Sequence, residues 1–112
     1  MIQNKEIDKI IEEIYQEILI FRRNIHKYPE LSNEEKETSK KIIDKLKENN
    51  IENIKINSLN YGIIGQINEI KDKKTILFRA DMDALPLEEI TNLPYSSVNK
   101  PPLFILLFYL GL

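Results

Sequence analysis

Two aspartates one residue apart, in the run Arg79-Ala80-Asp81-Met82-Asp83, are the sharpest chemical signal in the chain. In an extended backbone they point to opposite faces, so a single metal takes both only if the chain turns at Met82. One carboxylate in a site and the other bracing the loop needs no such turn. A solvated strand end is the plainest alternative.

His26 is the one histidine, and there is no cysteine. A lone histidine near a helix end is more often packed or dipole-stabilised than ligating. One imidazole with scattered carboxylates also makes a poor transition-metal site. Arg22 lies four residues before His26 and can share its helix face, whereas Arg23 lies on another. With Arg79 these arginines could bind a carboxylate, but surface ion pairs are the cheaper explanation. Glu88-Glu89 fits a surface turn better than a cleft. No serine–histidine arrangement resembles a nucleophilic triad, and no glycine-rich run would cradle phosphate.

The elements that must position these residues follow from periodicity. Ile7, Ile10, Ile11, Ile14, Ile18, Leu19 and Ile25 recur at helical steps and predict an amphipathic helix over 7–24 whose isoleucine stripe packs in a core. His26-Lys27-Tyr28-Pro29 ends it. A second helix is expected to start at Ser32, with Glu35 completing a capping box, and to end at Asn49-Asn50. Ile54 and Ile56 suggest a short strand, Tyr61 to Ile67 a second, Lys71 to Lys74 a turn, and Thr75-Ile76-Leu77-Phe78 a third strand delivering Arg79–Asp83 to its carboxyl end. The fold expected is α/β: an incomplete, mostly parallel, helix-covered sheet of two helices and about three strands.

Composition bounds the function. The chain has 112 residues, 42% hydrophobic and 30% charged, enough for one small domain. Its formal net charge of -2 gives no reason to expect nucleic acid as a partner. Met1 to Lys9 lacks a signal-peptide core, so a cytoplasmic location is expected. Leu103 to Leu110 is an unbroken apolar run, shorter than the roughly 17–25 residues that cross a bilayer, and no membrane association is expected.

Phe21-Arg22-Arg23-Asn24-Ile25-His26-Lys27-Tyr28-Pro29-Glu30-Leu31, with Glu35 and Thr38, resembles the opening signature of the M20 peptidase family. Thr75 to Pro86 resembles that family's most recognisable strand and loop, and Glu88-Glu89 with Leu93-Pro94-Tyr95-Ser96-Ser97 continues the match. The nearest branch is the aminoacylase-like amidohydrolases, which include hippurate hydrolases and auxin-conjugate hydrolases. The resemblance implies a catalytic domain with two divalent metal ions, a smaller inserted dimerisation domain, and hydrolysis of N-acyl amino acids by metal-bound water with a glutamate as general base. It implies that Asp83 orients a metal-binding histidine, and that Arg79, Asp81 and His26 are structural or site-lining rather than ligands.

Residues 1–97 are thus expected to be the amino-terminal portion of such a domain, and 98–112 an apolar tail foreign to the family. The methionine-histidine-alanine-cysteine-glycine-histidine-aspartate stretch that follows in the family is replaced by Val98-Asn99-Lys100-Pro101-Pro102 and the tail. The inserted domain is missing as well. Truncation with a frame change near Lys100 is the simplest account. The chain alone is then expected to bind no metal and to be inactive. The alternative is an interaction protein or split-enzyme subunit that joins a separately encoded remainder, with self-association through an exposed sheet edge or the tail.

Overall fold

The computed structural model describes residues 4–68 and 73–99. The apolar run 103–110 and the first half of the Lys71–Lys74 turn lie outside them. Helix α1 spans Asn4–Lys27 and α2 Lys36–Glu48; strands β1, Asn53–Ile56, and β2, Ile63–Gln66, follow.

The isoleucine repeat makes α1 helical from one end to the other, longer than the 7–24 span its stripe suggests. It stops where Tyr28 donates its N–H to the Ile25 carbonyl at 3.2 Å and Pro29 is fully buried. The stripe itself does not pack as expected. Ile7, Ile10, Ile11, Ile14 and Ile18 stay 42–55% exposed, and only Ile25, near the carboxyl end, is buried.

At the start of α2 the expected Ser32 cap does not form. The Glu30 carboxylate accepts the N–H groups of Glu37 at 3.1 Å and Thr38 at 2.6 Å instead. A charged group with two oxygens satisfies two open amides at the positive end of the helix, which one hydroxyl cannot. At the other end, Asn50 takes a left-handed φ of 60°. Asn50 then donates to the Lys47 carbonyl at 2.9 Å and Ile51 to that of Leu46 at 3.0 Å. This is the paired terminating motif that asparagine permits at low cost.

The expected mostly parallel, three-stranded sheet is overturned. β1 and β2 pair antiparallel, with Asn53 opposite Gln66 and Ile56 opposite Ile63, and they form a two-stranded sheet. Only residues 57–62 join them, and a parallel crossover requires a dozen or more residues. Residues 75–78 form neither helix nor strand. Ile76, Leu77 and Phe78 are 78%, 85% and 74% exposed, because an apolar run becomes a strand only when another backbone satisfies its amides and carbonyls. Among the described residues, the isolated bridge between Leu31 and Ala84 is the one parallel pairing outside the hairpin.

The small core sits where the last turns of α1, the 28–31 loop, the start of α2 and Ala84 meet. Ile25 and Ala84 are buried there, with Phe21, Leu31 and Ile42 packed around them. No helix among the described residues is long and apolar enough to cross a membrane.

Candidate functional site

The loop bearing the paired aspartates is held from its downstream side. Ala84, 2% exposed, donates its N–H to the Glu30 carbonyl at 2.7 Å beside its bridge to Leu31. Asp81, Met82 and Asp83 are half-buried just before this anchor. Upstream, the exposed Arg79 donates from Nη2 and Nε to the same Asp81 oxygen, at 3.0 and 3.2 Å. Asp81 is thus paired within its own loop, across a largely exposed contact. Among the described residues Asp83 has no hydrogen-bond or ion-pair partner.

Both aspartates face a cleft of about 1050 Å³, also lined by Arg22, Glu35 and the apolar Phe21 and Ile25. Glu35 is buried. Its Oε2 has no hydrogen-bond partner among the described residues.

His26 lies apart from the aspartates, in a second polar group. Its Nε2 stands 3.0 and 3.1 Å from the two Glu89 oxygens. The side chains are only 7% and 1% exposed. An ionised carboxylate only accepts, so Nε2 is the donor. Thr91 donates its hydroxyl to Oε1, and the Ser97 N–H reaches Oε2 at 2.8 Å. Burial pushes the Glu89 carboxyl up, but the Ser97 amide, the Thr91 hydroxyl and the His26 ring together outweigh it and hold it down at about 2. The Tyr95 ring meets His26 edge-on at 5.9 Å, and the Arg23 guanidinium lies 4.7 Å over Tyr95. Arg23, rather than Arg22, thus reaches the histidine's surroundings.

This group fastens residues 84–99 to the end of α1. Val98 donates to the Lys27 carbonyl at 3.0 Å, and the Asn99 amide group donates to the Pro29 carbonyl. Reading Glu88-Glu89 as a surface turn missed Glu89. The local signal was slight: Thr91, two positions on, offers a hydroxyl, while Ser97 contributes only its backbone N–H.

A paired divalent-metal site needs several imidazole, thiolate or carboxylate donors converging on each ion. No group of three histidine, cysteine, aspartate or glutamate side chains among the described residues converges in this way. The His26 ring is engaged by Glu89, and cysteine is absent. The described residues do not fit such a site.

No family model and no solved structure matches the chain. Curated proteins do. N-acetylcysteine deacetylase of Bacillus subtilis is 45% identical over 80 residues, 71% of this chain and 21% of the relative. Thermostable carboxypeptidase 1 of Saccharolobus solfataricus is 42% identical over 90 residues, 80% and 23% of the two chains. N-acetyldiaminopimelate deacetylase of Lactobacillus acidophilus is 40% identical over 88 residues, 76% and 23%. The chain thus spans 21–23% of the length of these relatives. Over most of its own length it is homologous to M20-family deacetylases and carboxypeptidases.

Proposed function

We propose that residues 21–97 are the segment of a metal-dependent amidohydrolase that sets the loop Arg79–Pro86 beside the substrate cleft, and that the 112-residue chain hydrolyses no amide by itself. The observation that carries this reading is the 37–45% identity to deacetylases of N-acetylated amino acids. An N-acyl amino acid is the substrate class that fits those names, which favours the aminoacylase-like branch. In this reading the Arg79 fork and the Ala84 anchor hold the loop, and Asp83 orients an imidazole supplied from beyond the 21–97 segment. His26 takes no part in ligation, because its ring is committed to Glu89.

The reading is tested by incubating the purified chain with N-acetylcysteine and N-acetyldiaminopimelate in the presence of zinc, manganese or cobalt, with the Bacillus subtilis deacetylase as control. No release of acetate above the metal-only rate is expected. Turnover by the chain alone would overturn the claim of inactivity. Failure of an N-acyl amino acid to protect Asp83 and Ala84 in a larger assembly containing this segment would overturn the placement of the loop beside substrate.

A further inference from the structure

We infer that the outer half of α1 is a self-association surface, and that its occupant is the same helix of a second copy of this chain, laid antiparallel against it. Spacing, exposure and charge along residues 5–18 support this independently of the activity proposed above.

Every residue from Lys5 to Ile18 is exposed, so about 20 Å of helix stands out from the core. Where α1 meets the rest, Glu17 accepts from Lys45 Nζ of α2 at 2.8 Å, and Phe21 and Ile25 pack into the core. Ile7, Ile11, Ile14, Ile18, Phe21 and Ile25 follow one another at alternating steps of four and three. That is the narrow seam of a two-stranded coiled coil, the a and d positions of successive heptads. Phe21 and Ile25 are already used within the chain, whereas the four isoleucines before them remain 42–55% exposed. Ile10 and Tyr15, 48% and 54% exposed, flank them. Together these side chains offer on the order of 500 Å² per copy, so two such faces reach the roughly 1,000 Å² of a weak but specific interface.

The pattern is complementary to itself. An antiparallel pair sets Ile7 opposite Ile18 and Ile11 opposite Ile14 of the second copy, so every exposed isoleucine of the seam meets another across a two-fold axis. Beside the seam, Asp8 comes next to Tyr15 of the second copy, whose hydroxyl can donate to it. Glu17 keeps its own Lys45 and comes next to Ile10, so no two like charges abut. A parallel pair would crowd the two cores together at the carboxyl ends of the helices. The antiparallel pair places them at opposite ends and sets the helix dipoles against each other. A lipid surface fits less well: residues 5–18 carry two lysines against five carboxylates, whereas helices that lie on anionic membranes are basic on their polar face.

Sedimentation velocity of the full chain, over about 1–200 µM, tests this. A reversible dimer with a Kd of about 20 µM or tighter is expected. Ile11→Asp and Ile14→Asp lie at exposed positions that one copy tolerates. Each should weaken the dimer about 100-fold, because two-fold symmetry brings every change into the interface twice. Ile20→Asp, 66% exposed and off the seam, should leave it unchanged. The chain has no cysteine, so disulfide trapping reads the orientation without relying on those variants. A mixture of Ile7→Cys and Ile18→Cys chains should cross-link to each other under mild oxidation, and neither should cross-link to itself. A chain that stays monomeric at about 200 µM overturns the inference. So does a dimer that survives Ile11→Asp and Ile14→Asp, which would be held by another surface such as the β2 edge. Self-cross-linking of Ile7→Cys would mean a parallel pair and overturns it as well. A monomer that binds phosphatidylglycerol vesicles would assign the face to a lipid surface instead, with the same consequence.

Discussion

Replacing Glu89 by alanine removes the acceptor shared by His26, Thr91 and the Ser97 amide. The carboxylate is 1% exposed and the histidine 7%, so water cannot take over at little cost. Breaking one partner out of a buried pair of this kind costs about 3–5 kcal/mol. The contacts that depend on it close residues 84–99 against the end of α1, through the Val98 amide on Lys27 and the Ala84 amide on Glu30. At about 1.4 kcal/mol per factor of ten, the loss corresponds to about 140- to 3700-fold faster exchange at these two amides. Amide exchange followed by NMR reads this directly, with Lys55 and Ile64 of the hairpin as internal references. Glu89→Gln keeps an acceptor for Ser97 and should fall between wild type and Glu89→Ala. Acid should mimic the substitution. The folded carboxyl sits at about 2, below its ordinary 4.5, so its contribution is complete above pH 4.5 and is lost as pH falls from there toward 2. If Glu89→Ala left Val98 and Ala84 protected relative to the hairpin, the buried pair would not be what fastens this segment.

Three smaller tests address the scaffold. Glu30→Ala should cost about 1 kcal/mol in a urea titration, the usual worth of a helix cap, while Ser32→Ala should change stability by less than about half of that. Asn50→Val should destabilise by about 1–2 kcal/mol, because a β-branched side chain opposes the left-handed φ, whereas Asn50→Gly should be close to neutral. Leu77→Asp should change the unfolding free energy of the isolated chain, read from a urea titration, by no more than about 0.5 kcal/mol, since the side chain is 85% exposed.

Local pattern explains what was legible in the residues. The three- and four-residue isoleucine spacing located α1, and Asn49-Asn50 located the end of α2, because both signals depend on neighbours in the chain. The start of α2 was less legible. Ser32 and Glu35 satisfy the capping-box spacing, but the turn after Pro29 swings the longer, charged Glu30 onto the same amides. The hairpin's antiparallel sense could have been read from the short 57–62 connection. The state of 75–78 could not, because whether Ile76-Leu77-Phe78 becomes a strand depends on a backbone partner, not on its own propensity. The exposed face of α1 has the same cause: its stripe is sound as a pattern and lacks a covering element among the described residues. At the site, Asp81 and Asp83 stood out by spacing. Glu89 did not, because its significance comes from His26, sixty-three positions away.

We propose that the chain carries the aspartate loop of an amidohydrolase, and among its described residues no donor set of a metal centre converges. Isothermal titration of the intact chain with zinc, at neutral pH in a non-chelating buffer, tests it most directly. No stoichiometric uptake tighter than about 10 µM is expected, and no added protection of the Asp81–Ala84 segment. Two ions held per chain at submicromolar affinity, with Asp83 shifting on binding, would contradict it.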